Sequence, residues 1–543
     1  MTHSAYAQGS TSTTLLEATI GDFMRAQVEA HPDSIALISR HQDLSLSWAE
    51  MWEESGRAAR GLIALGVCFG DRVAIWAGNC VEWVITQYAA ARIGAVLVCV
   101  NPMYKASELQ HALADSGAKV IVAAPNFRDA ELTQIIGDAR PDCPDLTHVI
   151  TLGSNWDWLL SLGDSLGEGT LEQFESCVQA FDPVNIQYTS GTTGNPKGAV
   201  LTHRNILNNA ALVGEGIGLS KADRVCVPVP LFHCFGMVLG VLGAHTASAT
   251  LVLPAESFEV DATIATVRDV QCTALYGVPT MFVGLLAETR KLGVELSTLR
   301  TGLMGGAPCA PDLRRKIREE LPMPELSVVC GMTETSPIST QTLVSDPTEA
   351  RDGTVGRPTP HVEIKVVDPV TGETLNAGET GEQCARGYSV MAGYWNNQEA
   401  TDSAIDADGW LHTGDLATMD ADGYLTLVGR IKDIIIRGGE NIYPVEIEGL
   451  LRSHPAVQDA YVIGVPDERL GEQVMAWISL TADAIVDTVE DELRTFCSAA
   501  ISRSKVPAVW RFTDTFPTTA SGKVQKFQLR EMAKLTEGIS STV

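Results

Sequence analysis

Short apolar runs alternate with longer amphipathic stretches from about residue 20 to residue 335, and this alternation limits the possible folds. The stretch 48–65 begins after Ser47, has Glu50 at capping-box spacing and ends at Gly66, so it predicts a helix. Continuously apolar strands that alternate with helices predict an α/β fold with doubly wound parallel sheets. The apolar runs are residues 72–76, 119–123, 185–188, 250–253, 273–275 and 326–329.

The pattern changes after about residue 340. Residues 361–368 and 423–430 alternate in polarity, and Asp-Gly pairs at 408–409 and 422–423 are typical of hairpin turns. These features predict an antiparallel β subdomain that completes a large N-terminal domain.

About one hundred residues with mixed strand and helix signals follow Arg430. We expect an N-terminal domain over residues 15–430, containing two doubly wound sheets and the β subdomain. A small, mobile α+β domain is expected over residues 431–543. Residues 1–14 lack the apolar run of a signal peptide and the arginines of a transit peptide, and they predict a disordered tail.

The charge balance is strongly acidic: 39 Lys and Arg residues against 67 Asp and Glu residues give a net charge of -28. Such a surface repels nucleic acid and anionic lipid, so neither is expected as the main partner. A polyanionic ligand must instead be bound by a local cluster of cations and backbone N–H groups.

The cysteine pattern is that of a reducing compartment. The 12 cysteines are scattered from Cys68 to Cys497 without a CxxC pair, which favours a cytoplasmic location. Residues 236–255 carry no Lys, Arg, Asp or Glu, but they contain polar residues and end in a strand-like segment. They predict a buried helix followed by a buried strand, and no membrane span.

The segment 188–198, YTSGTTGNPKG, follows a predicted strand and is the most informative part of the sequence. Its glycines, hydroxyls and lysine can surround phosphate oxygens with N–H and O–H donors and one cation. It is not a Walker A loop, because Pro196 stands where that motif needs glycine and Gly198 where it needs serine or threonine.

This loop resembles the signature of the adenylate-forming acyl- and aryl-CoA synthetases, relatives of firefly luciferase. The resemblance extends from about residue 19 to residue 535 and is greatest with medium-chain fatty acid:CoA ligases. It implies activation of a carboxylic acid by ATP and Mg²⁺, followed by acyl transfer to coenzyme A. The matching segments, in the family's order, are residues 100–104, 182–194, 230–240, 278–283 and 434–448.

The resemblance also implies roles for residues that bind the nucleotide. Thr333 is expected at the α-phosphate and Glu334 at Mg²⁺, beyond the carboxyl end of the predicted strand 326–329. Asp415 is expected to bind the ribose, with Arg430 at the ribose or phosphate. The β- and γ-phosphates are expected on Thr189, Ser190, Gly191, Thr192, Thr193, Gly194 and Lys197.

One position departs from the family pattern. Residue 330 is usually aromatic and stacks on the adenine, but here it is Cys330. The adenine is therefore expected on the backbone of Gly306, Ala307 and Pro308.

Two further residues are implied in catalysis. Lys523, in the segment ASGK, is expected to neutralise charge that develops on the α-phosphate and acyl oxygens. His233 is expected near the reacting carboxylate. The acyl tunnel is expected along Phe235, Met237, Val238 and Leu239, a stripe that a core helix would equally present.

The second half-reaction requires the site to admit a thiol. The resemblance implies that the small domain swings about Lys432, withdraws Lys523 and brings residues 437–440 to the site. Small residues at Gly438 and Gly439, beside Arg437, would let the pantetheine arm of coenzyme A pass close to the backbone.

Other functions stay open at this point. An aryl-acid or branched short-chain acid:CoA ligase, an adenylating enzyme that serves a carrier protein, and a luciferase-like oxygenase share the fold. A non-catalytic nucleotide sensor would not need all the implied site residues. The expected partners are small molecules, and a homodimer is the default assembly.

Overall fold

The computed structural model describes residues 3–189, 196–467, 469–481, 484, 486–518 and 524–537. Its contacts divide the chain into two compact units. The N-terminal unit comprises residues 7–364 and 385–411, and the C-terminal unit comprises residues 1–6, 365–384 and 412–543. The predicted boundary between residues 430 and 431 stays a prediction.

The described helices are α1 (Ile20–Ala30), α2 (Trp48–Ala64), α3 (Val81–Arg92), α4 (Ala106–Ser116), α5 (Leu132–Ala139), α6 (Trp156–Asp164), α7 (Glu168–Glu175), α8 (His203–Gly216), α9 (Gly243–Thr246), α10 (Val260–Val270), α11 (Pro279–Leu292), α12 (Pro311–Glu320), α13 (Thr348–Gly353), α14 (Gln398–Ala404), α15 (Pro444–Arg452), α16 (Val486–Ala500) and α17 (Lys526–Glu537).

The described strands are β1 (Tyr6–Gln8), β2 (Ile35–Ser39), β3 (Leu44–Ser47), β4 (Arg72–Trp76), β5 (Val96–Cys99), β6 (Ala118–Ala123), β7 (Asn126–Phe127), β8 (Ala130–Glu131), β9 (His148–Thr151), β10 (Pro183–Thr189), β11 (Lys197–Thr202), β12 (Arg224–Cys226), β13 (Thr250–Leu253), β14 (Ala274–Gly277), β15 (Thr301–Met304), β16 (Glu325–Gly331), β17 (Ile338–Gln341), β18 (Arg357–Pro358), β19 (Val362–Val367), β20 (Gly381–Gly387), β21 (Gly393–Tyr394), β22 (Leu411–Met419), β23 (Leu425–Arg430), β24 (Ile435–Arg437), β25 (Glu440–Ile442), β26 (Val457–Asp467), β27 (Gly471–Leu480) and β28 (Val509–Phe512).

Two large sheets form the N-terminal unit, as the alternating pattern predicts. One has the order β21-β11-β10-β5-β4-β6-β9, and the other has the order β18-β17-β16-β15-β14-β12-β13-β2-β3. Strands β10-β5-β4-β6-β9 run parallel, as do β16-β15-β14-β12-β13-β2. The α/β fold with doubly wound sheets is confirmed, and one large apolar core contains side chains from both sheets.

Helix α2 shows how the sequence determines these elements. Ser47 and Glu50 form the predicted capping box, and Gly66 follows the helix with a φ of 84°. At that φ a side chain would meet the backbone, so glycine suits the position where the helix ends. The buried face of α2 includes Trp48 and Met51, both fully buried.

Each large sheet ends in an antiparallel hairpin that strand periodicity does not predict. Strand β10 turns back into β11, and β16 turns back into β17. In both cases the turn lies at the carboxyl end of a parallel strand. Because ligands of open α/β sheets bind beyond those ends, these hairpin turns are the first places to look for a site.

The segment with no charged residues is buried, as predicted. Residues Phe235–Leu242 form a π-helix, α9 continues it, and the buried strand β13 follows. None of the helices in the described ranges is both long and apolar enough to cross a membrane.

The C-terminal part of the chain has the predicted α+β character. Its small sheet has the order β25-β24-β27-β26, with β28 beside β27, and α15 and α16 help to bury one face. The β subdomain is a five-stranded sheet of order β1-β19-β20-β22-β23, through which the chain passes from one unit to the other.

The predicted disordered tail is wrong over residues 3–14, the part of it that the structure describes. Ala5 is fully buried, and its N–H donates to the carbonyl of Leu375 at 2.8 Å. Gly9 N–H donates to the carbonyl of Val362 at 2.8 Å. The segment lacks a periodic apolar pattern because its order comes from backbone pairing with residues more than 350 positions away.

Candidate active site

The signature loop connects β10 to β11. Thr189 is the last residue of β10 and pairs with Lys197, the first residue of β11. Thr189 Oγ1 lies 3.4 Å from the carbonyl oxygen of Lys197, which ties the two ends of the loop together. The predicted phosphate ligands Ser190, Gly191, Thr192, Thr193 and Gly194 lie outside the described residues.

The second hairpin turn holds Thr333 and Glu334 in one turn of 3₁₀-helix directly after β16. Glu334 is 5% exposed. The hydroxyl of Tyr394 donates to Oε1 of Glu334 at 2.8 Å, and Met391 N–H donates to the Glu334 carbonyl at 2.9 Å. The Tyr394 hydroxyl matters for the side chain, because burial of a carboxylate without a donor is costly.

Tyr394 connects the two hairpins. It lies on β21, beside β11, where it pairs with Ala199. The Nζ atom of Lys197 lies 5.2 Å from the centre of its ring, within the range of a cation–π contact. Burial, followed by the charge of Glu334, raises the pKa of Tyr394, so its hydroxyl stays protonated and able to donate.

His233 and Thr333 are brought to one place through Cys234. The Sγ atom of the buried Cys234 lies 3.6 Å from Oγ1 of Thr333. His233 Nδ1 accepts a hydrogen bond from Phe235 N–H at 3.1 Å, which leaves Nε2 as the protonated nitrogen of a neutral ring. The side chain of His233 is half-buried. His233 therefore directly precedes Cys234, the residue whose sulfur contacts Thr333.

The segment predicted to contact adenine follows β15, the parallel neighbour of β16. Gly306 and Pro308 are exposed, and Ala307 is half-buried. Gly306 has a φ of 83°, and an added Cβ would lie 3.3 Å from Val278. Cys330 is half-buried near the end of the adjacent β16.

The apolar residues expected along the acyl tunnel are buried in the π-helix. The ring of Phe235 stacks on Tyr276 with centroids 6.2 Å apart. Met237 receives hydrogen bonds at its sulfur from Gln187 Nε2 at 3.0 Å and from the thiol of Cys99 at 3.6 Å. Met237 therefore packs against β10 and β5, so this stripe is at least in part a core face.

Asp415 and Arg430 are paired within the C-terminal unit. They face each other on β22 and β23, and Arg430 Nε lies 2.7 Å from Asp415 Oδ1. The carboxylate is mostly shielded, with 16% of its side chain exposed against 44% for the arginine. The backbone N–H of Asp415 donates to Thr413 Oγ1 at 3.1 Å.

Lys432 follows in a short 3₁₀ turn, Ile431–Asp433. Its side chain is exposed, yet the surrounding protein removes part of its solvation. That loss of solvation is the largest cause of the lowered pKa of Lys432, and the charge of Arg430 is the second. The neighbouring Asp433 forms an ion pair with Arg530, whose Nη2 lies 2.9 Å from Asp433 Oδ1.

Residues 437–440 form a tight hairpin between β24 and β25. Arg437 pairs with Glu440, and the two residues between them, Gly438 and Gly439, have φ values of 60° and 84°. A two-residue turn with positive φ at both positions suits the right-handed twist of the strands and strongly favours glycine. Gly438 N–H donates to the carbonyl of Leu470 at 2.7 Å, which fixes the turn.

Lys523 lies outside the described residues. The chain on either side of it is paired: Thr518 and Val524 form an antiparallel bridge, and Gln525 N–H donates to the Pro517 carbonyl at 2.8 Å.

Comparison with known proteins identifies the family of this chain. The profile of the AMP-binding enzyme family matches residues 24–395, and that of the AMP-binding enzyme C-terminal domain matches residues 446–523. The chain belongs to the AMP-binding enzyme family.

The relatives of this AMP-binding enzyme indicate its class. It is 39% identical to the mitochondrial medium-chain acyl-CoA ligase ACSF2 of Rattus norvegicus, over 97% of this chain and 89% of the relative. The anthranilate CoA ligase AuaEII, in complex with anthranoyl-AMP, superposes with a TM-score of 0.86 at 27% identity, over 98% of this chain and all of that one.

ATP-bound MatB of Rhodopseudomonas palustris superposes with a TM-score of 0.81 at 28% identity, over 95% of this chain and 99% of that one. This chain is an adenylate-forming enzyme of the acyl-CoA ligase class, which uses ATP and coenzyme A with Mg²⁺ as the usual metal.

Sequence reasoning about this AMP-binding enzyme missed Tyr394 and Glu382. Tyr394 lies 60 positions from the carboxylate it binds, and no periodic pattern marks it. Glu382 Oε1 accepts the N–H of Gly414, the residue before Asp415, at 3.0 Å. For this part of the chain the sequence predicted only an antiparallel β subdomain.

Proposed function

We propose that the chain activates a medium-chain fatty acid with ATP and transfers the acyl group to coenzyme A. The observation that carries the proposal is the cluster of Lys197, Tyr394, Glu334 and Thr333 at the hairpin turns of the two large sheets. It puts a cation, a buried carboxylate and a hydroxyl where such sheets bind nucleotides. The likeness to ACSF2 and the uncharged stretch from Phe235 to Leu239 favour the medium-chain acid.

In the first step the carboxylate of the acid attacks the α-phosphorus of ATP, and pyrophosphate leaves. Lys197 and the donors at residues 189–194 hold the β- and γ-phosphates, and Thr333 contacts the α-phosphate. Charge that develops on the α-phosphate and acyl oxygens is neutralised by Lys523. These cations are local, so the net charge of -28 does not prevent the binding of an anionic substrate.

The oxygen donors of this cluster fit Mg²⁺. The carboxylate of Glu334 is held by Tyr394 at one oxygen, and the hydroxyl of Thr333 belongs to the same turn. Carboxylate and hydroxyl oxygens are hard ligands, the type that Mg²⁺ prefers together with substrate phosphates. Bound there, Mg²⁺ would offset the negative charge of the phosphates.

The nucleoside and the acid are bound by the remaining residues. Asp415 can accept both hydroxyls of a ribose, while Arg430 orients its carboxylate. The adenine lies against Gly306, Ala307 and Pro308. His233, neutral with Nε2 protonated, donates a hydrogen bond to the carboxylate of the acid.

In the second step the thiol of coenzyme A attacks the acyl carbon of the adenylate, and AMP leaves. Lys523 is needed only for the first step. Arg437, Gly438 and Gly439 serve the second step, with Lys432 as the hinge of the change. The glycine turn gives the pantetheine arm close access to the backbone.

The Lys523→Ala variant separates the half-reactions. We expect it to lose carboxylate-dependent exchange between ATP and pyrophosphate, while it still converts a supplied acyl-adenylate and coenzyme A to the thioester. Lys534→Ala, in the same part of the chain and paired with the exposed Glu531, is the control for the loss of a positive charge. Intact exchange in Lys523→Ala would contradict the assigned role.

An aryl-acid substrate is the second candidate, favoured by the likeness to AuaEII. AMP release with coenzyme A, measured for straight-chain acids of graded length and for benzoate-type acids, separates the two. Preference for the aryl acids would overturn the medium-chain assignment.

We also propose a cytoplasmic location and a homodimer. None of the 12 cysteines, all of which lie in the described ranges, forms a disulfide, which suits a reducing compartment. Fractionation of the source cells tests the location, and light scattering of the purified protein tests the dimer.

A further inference from the structure

Three side chains of different chemistry meet in the C-terminal unit, and the proposed reaction assigns none of them a chemical step. Cys384 Sγ lies 3.6 Å from His412 Nδ1, and His412 Nδ1 lies 2.9 Å from Glu382 Oε2. The three atoms all lie within 4.8 Å of one another. We call them the Cys-His-Glu cluster. It lies on β20 and β22, where the strands put the three side chains together although residue 412 is 28 positions beyond residue 384.

The S–N and N–O spacings are close to those of ligands around one tetrahedral cation. Zinc bonds of about 2.3 Å to sulfur and about 2.0–2.2 Å to nitrogen and oxygen put neighbouring S and N ligands about 3.6 Å apart and N and O ligands about 3.4 Å apart. The S–N distance in the cluster already has this value. The N–O distance has to open by about half an ångström, which replaces a hydrogen bond with two metal bonds.

The chemistry of the ligands selects the type of cation. Thiolate and imidazole bind zinc-like metals well and Mg²⁺ or Ca²⁺ poorly. Cys384 is fully buried and Glu382 is 8% exposed, so the site is largely dry. The side chain of His412 is 34% exposed, so the cluster borders solvent, from which a water can serve as fourth ligand.

We propose that Cys384, His412 and Glu382 bind one thiophilic divalent cation of the zinc type. Binding releases the thiol proton to solvent and requires the neutral imidazole. Glu382 can ligate through Oε2 while Oε1 keeps its hydrogen bond from Gly414 N–H. Because Gly414 precedes Asp415, the cation and the proposed ribose ligand are connected through one carboxylate. The cation site does not depend on the proposed reaction.

The test is titration of the purified, metal-free, reduced protein with Co²⁺ alone. We expect one equivalent to bind with the charge-transfer absorption of a cobalt–thiolate bond, and Zn²⁺ to remove that absorption. Cys384→Ser should lose the absorption, and His412→Gln should weaken Co²⁺ binding at least tenfold. Cys177→Ser, which removes an exposed thiol, should bind as the unmodified protein does.

Thermal unfolding without metal shows whether each variant is folded. His412→Gln changes a partly exposed side chain, so it tests the proposal even if Cys384→Ser does not fold. Absence of a cobalt–thiolate absorption in the unmodified protein would overturn the proposal. So would an absorption that survives in folded Cys384→Ser, or unchanged affinity in folded His412→Gln.

Discussion

Arg430 Nε lies 2.7 Å from Asp415 Oδ1, across two adjacent strands of the C-terminal unit. The contact with Arg430 orients the Asp415 carboxylate, and the backbone of Asp415 is held by a hydrogen bond from its own N–H to the Thr413 hydroxyl. A ribose ligand benefits from such support, because a carboxylate that is already oriented loses less freedom when the diol arrives.

The first prediction concerns this pair. Asp415→Asn should weaken ATP binding about 10-fold to 100-fold, because hydrogen bonds to a charged group are each worth about 1.5–3 kcal/mol. Arg430→Ala should weaken it less, since the carboxylate remains. The loss of ATP-binding free energy in the double variant should be roughly 1 kcal/mol smaller than the sum of the two single losses, because the residues are in contact. Equilibrium ATP binding measures all three, and strict additivity would argue against the supporting role.

The second prediction concerns Tyr394. Tyr394→Phe keeps the ring near Lys197 but removes the hydroxyl that donates to Glu334. A buried carboxylate that loses a donor costs about 1–3 kcal/mol. We expect adenylation to fall about tenfold and to need a higher Mg²⁺ concentration, while the affinity for the fatty acid is unchanged.

Tyr394→Leu loses both the ring and the hydroxyl, so it should bind ATP more weakly than Tyr394→Phe does. Pyrophosphate exchange at graded Mg²⁺ concentrations measures both variants. An unchanged Mg²⁺ dependence in Tyr394→Phe would mean that the hydroxyl has no influence on the metal site.

The sequence predicted those parts of the fold that local interactions determine. The Ser47–Glu50 capping box and the apolar run 72–76 lie within single elements, and both match the structure. The π-helical geometry of Phe235–Leu242 and the order of residues 4–8 depend on packing and pairing with distant segments. Neither leaves a periodic signal in the residues concerned.

The candidate site also contains residues that the sequence predicts and residues that depend on distant pairing. Lys197, Thr333 and Glu334 could be predicted, because they lie in segments that resemble the family's motifs at the ends of strands. Tyr394 was not found, because its role depends on the edge strand β21 lying beside β11. That pairing joins residues almost two hundred positions apart, and a single sequence does not contain the information.

The third prediction uses the glycine turn at residues 438–439. A Cβ added at Gly439 meets no atom within 4 Å, so the free-energy cost of Gly439→Ala comes from the φ of 84° alone. A positive φ costs an alanine roughly 1–2 kcal/mol. We expect slower thioester formation from a supplied acyl-adenylate and unchanged ATP–pyrophosphate exchange.

Gly449→Ala is the matched control. Gly449 lies in α15, also with open space around its Cα, but with helical φ. The substitution should stabilise the protein by about 0.5–1 kcal/mol and leave both half-reactions unchanged. Equal loss of both half-reactions in Gly439→Ala would point to general damage of the C-terminal unit.

The last prediction is a loss of stability in acid that comes from buried histidines of the N-terminal unit. Burial lowers the pKa of His203 to about 3 and that of His245 to about 4. Both rings are therefore neutral in the folded protein, and His203 Nδ1 accepts the N–H of Ile20 at 3.1 Å. The unfolded chain takes up a proton at each of them below about pH 6.5.

Since the unfolded state then binds more protons, the free energy of unfolding falls as the pH is lowered from about 6.5 towards 4, by about 1.4 kcal/mol per pH unit for each histidine. His203→Asn keeps an acceptor for Ile20 N–H and removes the titration. Between pH 6.5 and 5 the variant should lose about 2 kcal/mol less than the unmodified protein. Urea unfolding at several pH values measures this, with the exposed His3→Asn as control, and parallel curves for His203→Asn and the unmodified protein would show that His203 does not remain neutral in the fold.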